Sequence, residues 1–283
     1  MRLLAPAKLN LCLYLGKPRA DGLHALCSLF EPLALADAIE VSESSSDEVL
    51  CAGVGGENLA ARALTALRER GWDAPPLRVE IEKRIPVAAG LGGGSADAAA
   101  ILRLAREAGR DGTGPIPDLG EIAAELGADV PSQLSPALAL VQGAGERVDR
   151  LPAPASHSVL LLPAGGGLST ADVFAEADRL ELGRGEAELD GLASELRQAA
   201  GDGVSPLAYG DLLVNDLEPA ARSLRPDIGA ALDALRGAGA PLAFMSGSGP
   251  TAVGLFPSLA EAESTAAQID RDDAIVCEAG QVP

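Results

Sequence analysis

Apolar and polar positions alternate strictly near the start of the chain. Over residues 9 to 15, Leu9, Leu11, Leu13 and Leu15 fall on one face of an extended segment, and Asn10, Cys12 and Tyr14 on the other. That period of two predicts a half-buried strand, with Lys8 on the Asn10 face. Residues 77 to 83, LRVEIEK, alternate in the same way and predict a second strand. Between them the period lengthens to that of a helix in LAARALTALRER, with Asn58 placed as N-cap and Gly71 as the stop. Pro86 and a run of glycines then break the pattern before ADAAAILRLAREAG, an Ala-rich helix. The order is strand, glycine loop, helix.

A shorter helix is predicted over DLGEIAAELG, opened by Asp118 with Glu121 three residues on and closed by Gly127. Asp129 falls in the turn beyond it, and Pro131 suits the first turn of another helix. The Pro-rich residues 152 to 156 form the linker candidate, which divides the chain into an N-terminal domain, 1–152, and a C-terminal domain, 153–283. Beyond the linker, VLLLP reads as a buried strand and STADVFAEAD as the opening of a helix, whereas residues 183 to 205 read as a variable surface region. Residues 242 to 256, LAFMSGSGPTAVGLF, give two short apolar runs around a Gly/Ser/Pro turn. A helix capped at Ser258, with Glu261 in its first turn, follows them.

Hydrophobic residues make up 47% of the 283 positions against 22% charged, the balance of a folded globular chain. The 41 acidic residues outnumber the 22 basic ones, and a net charge of -19 repels nucleic acid and anionic membrane surfaces. A small anion held by local cations and backbone amides is still compatible with that field. Cys12, Cys27, Cys51 and Cys277 lack C-x-x-C spacing, and His24 and His157 are the only histidines, so neither a disulfide framework nor a structural zinc is expected. No run of about 18 apolar residues occurs and no signal peptide opens the chain, which makes the cytoplasm the expected location.

Gly90-Leu91-Gly92-Gly93-Gly94-Ser95, at a helix start, can aim backbone N–H groups and the positive end of the helix dipole at a phosphate. The same residues also suit a flexible turn with Ser95 as an ordinary N-cap. The G-x-x-x-x-G-K-[ST] pattern is absent, and G-x-G-x-x-G fails because Ser95 stands at the third glycine. Lys8 is either a snorkelling lysine or a catalytic one held with Asn10 on a rigid strand. Asp129 either caps the next helix or takes the proton of an attacking hydroxyl. The loop 246 to 251, SGSGPT, suits a plain hairpin connection, and His24 and Phe174 suit structural positions as readily as a ligand site.

Together PAKLNLCLYL at 6 to 15, PVAAGLGGGSADAAA at 86 to 100 and SGSGPTAVGLF at 246 to 256 resemble the GHMP kinase superfamily in content, order and spacing. RADGLH at 19 to 24 and LGADVP at 126 to 131 bring the likeness closest to members acting on a cytidine-diphosphate-linked alcohol. The resemblance implies an α+β, two-domain fold, with a ribosomal-protein-like N-terminal domain and a ferredoxin-like C-terminal domain. It implies transfer of the γ-phosphoryl of ATP, with Mg2+, to the 2-hydroxyl of a cytidyl methylerythritol in non-mevalonate isoprenoid biosynthesis. Homoserine-type or mevalonate-type alcohols, and a catalytically silent metabolite-binding paralogue, are the competing readings.

In that family Lys8 and Asp129 match the catalytic pair. Asn58, Lys83, Pro86, Val87, Ala88, Ala89, Gly90, Leu91, Gly92, Gly93, Gly94, Ser95 and Ala96 match the ATP side, Ser95 also as a magnesium contact. Asn10, Leu23, His24, Ala144, Thr170, Phe174, Gly247 and Ser248 match the substrate side. The implied partner is a small molecule, not nucleic acid or membrane, and the implied assembly a monomer or homodimer. Leu23 stands where the family usually carries an aromatic ring to stack on cytosine, and Ser132 and Gln133 stand where apolar or aromatic residues are common.

Overall fold

Two long strands, β1 (Arg2–Pro18) and β2 (His24–Glu43), pair antiparallel, with register shifts between Pro6 and Lys8, between Asn10 and Cys12, and between Leu15 and Pro18. They belong to a computed structural model that describes residues 1–55, 58–110 and 116–282. β1 is not half-buried, as its alternation suggests. Asn10, Cys12 and Tyr14 are as deeply buried as the leucines between them, because apolar clusters close over both faces of the strand.

Next come β3 (Glu48–Cys51), α1 (Leu59–Glu69) and β4 (Leu77–Glu82), with β3 parallel to β4 across the helix and β4 antiparallel to β2. Asn58 caps α1 by accepting from the amides of Ala60 and Ala61, and Gly71 takes a left-handed φ of 83° beyond its end. α2 (Gly93–Arg110) starts inside the glycine run, three residues before the Ala-rich stretch. Ala96 N donates to Gly92 O at 2.9 Å, so Ser95 lies in the first turn and is not the N-cap. α3 (Leu119–Leu126), capped by Asp118, α4 (Val130–Gln133) and the hairpin β5 (Ala139–Gly143) and β6 (Arg147–Arg150) follow, with β5 paired to β2. Small residues along α2, from Ala96 to Ala105, let it pack closely beside α1 over the β2–β4 sheet.

The second half runs β7 (His157–Leu162), α5 (Thr170–Arg179), α6 (Glu186–Ala200), a 3-10 helix (Pro206–Leu212), α7 (Glu218–Leu224) and α8 (Pro226–Gly237). It ends with β8 (Leu242–Met245), β9 (Ala252–Phe256), α9 (Leu259–Ile269) and β10 (Ile275–Ala279). The strand order β10-β7-β9-β8, antiparallel throughout, is the ferredoxin-like arrangement. The fold is thus α+β with two differently built halves. Residues 183 to 205 are not merely a surface region: α6 occupies most of them and buries Leu189, Ala193, Leu196 and Ala200 in the largest core cluster. In the 152 to 156 segment Pro154 is buried and the other four residues are exposed, with Ala155 N donating to Gly203 O. Among the described residues no helix is long and apolar enough to cross a membrane.

Candidate active site

Lys8 emerges from the middle of β1 with its side chain 7% exposed, and its Nζ lies 3.3 Å from Asp129 Oδ2. The ammonium also donates to Asn10 Oδ1 at 2.6 Å and to Gly90 O at 3.5 Å, and it sits 4.7 Å from the centre of the Phe30 ring. Asp129 precedes α4 but makes no side-chain cap bond. The capping alternative for this residue therefore does not describe its geometry. Its carboxylate, 30% exposed, is turned to Lys8 and to solvent. A buried cation thus meets an open carboxylate, which is suited to receiving a proton from a bound hydroxyl.

The glycine loop is clamped to that pair. Lys8 N donates to Leu91 O at 3.0 Å, and a Cβ at Gly92, where φ is 69°, would stand 2.9 Å from Lys8 Cγ. Gly90, with φ 77°, leaves no room either, because its Cβ would lie 2.8 Å from both Ser246 O and Gly249 O. The second loop is held just as firmly. Asn215 Nδ2 donates to Met245 O at 2.7 Å and to Gly247 O at 2.8 Å, while Thr251 Oγ1 donates to Ala89 O at 2.7 Å. Asn10 N donates to Ser246 Oγ at 3.1 Å, and Gly247 comes so close that a Cβ there would be 3.0 Å from Asn10 Oδ1. Both loops and β1 therefore form one rigid frame around the start of α2, whose first-turn amides lack helical partners and so make a cradle able to take an anion.

Beside the cradle lies a cleft of about 440 Å³ lined by Asn58, Lys83, the run from Pro86 to Ser95, and Thr170. Ala96 is fully buried behind the loop. Val87 is an exposed apolar side chain on this wall. Lys83 Nζ donates to Asp97 Oδ2 at 2.8 Å and to the buried Asp37. Burial opposes the ammonium, yet Asp97 and Asp37 win and hold its pKa above the usual lysine value. Burial pushes the Asp97 carboxyl up to about 7, against the pull of Lys83.

On the other side, His24 Nε2 meets Asp178 Oδ1 at 2.8 Å, and its ring lies 5.1 Å from that of Phe174 at a tilt of 51°. Thr170 Oγ1 and Ser248 Oγ are 2.9 Å apart, linking α5 to the second loop. Leu23 is 55% exposed, and Ala144 lies in the β5–β6 turn with its amide donating to Glu146 Oε2. Neither is joined to the His24–Phe174 pair by a hydrogen bond or ring contact among the described residues. Asp37, Ser28 and Asn215 lie outside the motifs, and Asp97, although inside SADAAA, is given no role by them. The only signal for Asp37 and Ser28 is a polar residue inside an otherwise apolar strand, in LALADAIEV and LCSLF. Among the described residues no group of three or more His, Cys, Asp or Glu side chains could hold a metal ion.

Residues 58–137 match the GHMP kinases N terminal domain, and residues 190–274 match the GHMP kinases C terminal domain. A 4-diphosphocytidyl-2-C-methyl-D-erythritol kinase of Thermobifida fusca (strain YX) is 41% identical over 280 residues, covering 93% of this chain and 89% of that protein. The protein of the same name from Nocardia farcinica (strain IFM 10152) is 40% identical over 272 residues, covering 94% and 88%. A crystal structure of 4-(cytidine 5'-diphospho)-2C-methyl-D-erythritol kinase superposes with a TM-score of 0.79 at 33% identity, covering 99% of this chain and all of that one. Homoserine kinase from Cytophaga hutchinsonii shares the fold at a TM-score of 0.69 and 18% identity, covering 100% of this chain and 94% of that one. With both of its halves matched and such relatives along nearly its whole length, the chain belongs to the GHMP kinases, ATP-dependent kinases of small molecules.

Proposed function

We propose that this kinase transfers the γ-phosphoryl group of ATP to the 2-hydroxyl of 4-diphosphocytidyl-2-C-methyl-D-erythritol, a step of non-mevalonate isoprenoid precursor biosynthesis. The observation that carries the reading is the open carboxylate of Asp129 paired at 3.3 Å with buried Lys8, beside the rigid glycine loop. The relatives of that name give the substrate. Asp129 orients the 2-hydroxyl and accepts its proton as the oxygen bonds to the γ-phosphorus. The bond from that phosphorus to the bridging oxygen breaks, and ADP departs with the electron pair. Lys8 offsets the charge that builds up on the transferred group and keeps Asp129 in place.

Amides from Gly92 to Ser95 hold the ATP phosphates, and the frame of loops and β1 fixes their direction in advance. Asn58 uses its side-chain oxygen to cap α1, so its NH2 group is what it offers the nucleoside. Val87 gives the base an apolar wall. Among the described residues no group of three acidic, histidine or cysteine side chains could hold a metal by itself. A Mg2+ brought by ATP would be held here by the Ser95 hydroxyl. Bound there, it would neutralise phosphate charge. On the cytidyl side, Phe174 supplies a stacking face and Asp178 steadies His24 beside it. The net charge of -19 fits a small-molecule partner better than a nucleic acid.

A panel of alcohols with ATP and Mg2+ tests this. The cytidyl substrate should be phosphorylated with little turnover of homoserine or mevalonate, and equal or faster turnover of either would sink the assignment. Asp129→Asn should lower kcat by about 100-fold or more, the usual size of a general-base contribution, with the Kd for ATP nearly unchanged.

A further inference from the structure

Lys8 must keep both its charge and its direction with almost no water around it. Its ammonium donates to Asn10 Oδ1 at 2.6 Å, Asn10 Nδ2 donates to Ser28 Oγ at 2.9 Å, and the Ser28 hydroxyl donates to the backbone carbonyl of Cys12. Lys8, Asn10 and Ser28 are 5%, 2% and 0% exposed, so solvent cannot substitute for a missing partner. This chain of bonds can run in one direction only. A carbonyl has no proton, so Ser28 gives its single hydroxyl proton to Cys12 and can only accept from Asn10. Asn10 must then turn its NH2 to Ser28 and its oxygen to Lys8. The flipped amide would set donor against donor at Lys8, and at Ser28 it would set acceptor against a hydroxyl whose proton is committed. Both contacts would leave buried polar groups unpaired.

We propose that Ser28 is a positioning residue for phosphoryl transfer: it reads the fixed polarity of the Cys12 carbonyl and passes it through Asn10, so that Lys8 is held toward Asp129 and the glycine loop. The inference rests on reading Lys8 and Asp129 as the catalytic pair. Asn10 is well suited to the relay because its amide is neutral. It pins the ammonium without supplying a second negative charge, so the electrostatic pull of Lys8 stays directed at Asp129 and the incoming phosphates. The backbone of β1 supplies rigidity at both ends, since Asn10 N is itself bonded to Ser246 Oγ. Ser28 belongs to β2, where it has no motif to mark it, and its hydroxyl reaches across to β1.

Steady-state kinetics with ATP, Mg2+ and the cytidyl substrate test the proposal. Ser28→Ala should lower kcat about tenfold, the worth of one well-made hydrogen bond, with the KM for ATP within about twofold of the parent value. Ser28→Thr, which restores the hydroxyl, should recover most of that loss. In an Asn10→Ala background the relay is already cut, so adding Ser28→Ala should change kcat by less than about twofold. Unchanged kcat in Ser28→Ala, even with a lowered melting temperature, would overturn the proposal, and so would an equal fall in both backgrounds. Should Ser28→Ala fail to fold, Ser28→Cys keeps the volume and loses the strong acceptor, and the same comparison applies. If the parent enzyme turns over a different alcohol of the panel, it is the substrate assignment that fails, and the same variants are compared on that alcohol.

Discussion

Lys83 lies between two buried carboxylates, Asp37 and Asp97, on the wall of the cleft beside the glycine loop. Asp37 is committed to structure, since its other oxygen accepts from the amides of Arg84 at 2.6 Å and Ile85 at 2.9 Å. Asp97 is the strained partner: its Oδ1 is buried without a hydrogen bond, and burial raises its pKa from 3.8 to about 7. Between those two values the folded protein keeps a proton that the unfolded chain has released, so this group makes stability fall as pH rises through that window. Asp97→Asn removes the titration. Its urea midpoint should therefore gain on that of the parent protein between pH 5 and 7.5, and a difference constant with pH would show that Asp97 does not titrate there. Lys8 and the glycine loop stand out in the sequence through their resemblance to the family's motifs in content, order and spacing, since read locally each keeps a structural alternative. Asp97 lies within one of those motifs, but its role is not legible, since nothing local tells a buried acid in DAAAIL from an exposed helix acid. Its meaning comes from β2 and the segment after β4, which bring Asp37 and Lys83 to it.

α6 shows what periodicity can hide within an element. Leu189, Ala193, Leu196 and Ala200 fall at i, i+4, i+7 and i+11, a proper helical stripe. Two of the four are alanines, and Glu186, Glu188, Asp190 and Glu195 are interspersed with them, so the segment reads as surface. In the structure it closes the face of β1 that carries Cys12 and Tyr14, which is why that strand is buried on both sides. Leu196 has no exposed surface, and Leu196→Ala should cost about 3 kcal/mol through lost burial and the cavity left behind. Chemical denaturation gives the value. A cost near that of a surface substitution, below about 0.5 kcal/mol, would mean that α6 is peripheral after all. The opposite case is α2, whose position was clear but whose start was not. Glycines ordinarily stop a helix, yet here Gly93 and Gly94 begin one, and at Gly93 a Cβ would stand 3.1 Å from Ile85 Cγ2 and 3.2 Å from Lys83 Nζ.

At the scale of the whole molecule, the two halves share a core and a buried charge pair. The largest apolar cluster combines Leu9, Leu11 and Leu140 with Val159, Leu161, Phe244 and Leu255, so residues on either side of the 152–156 segment pack together. β10 adds a backbone link, pairing with β7 along its length and with β2 at Leu33. Between the same strands His157 Nε2 lies 3.1 Å from Glu31 Oε2, both side chains being fully buried. Burial alone would lower the histidine pKa, but the hydrogen bond and charge of Glu31 outweigh it and raise the value above the ordinary 6.5. A raised folded-state value means that the pair's contribution is fully present below about pH 6.5 and is lost as pH climbs through the folded pKa. His157→Gln should therefore be more destabilising at pH 6 than at pH 8.5. Trp72, the only tryptophan, is buried in the first half, far along the chain from His157. If the shared core makes unfolding cooperative, the substitution in the second half should shift the Trp72 fluorescence transition and the circular-dichroism transition together. A Trp72 midpoint left in place while the other moves would mean that the halves unfold separately, and equal destabilisation at both pH values would remove the charge from the His157–Glu31 contact.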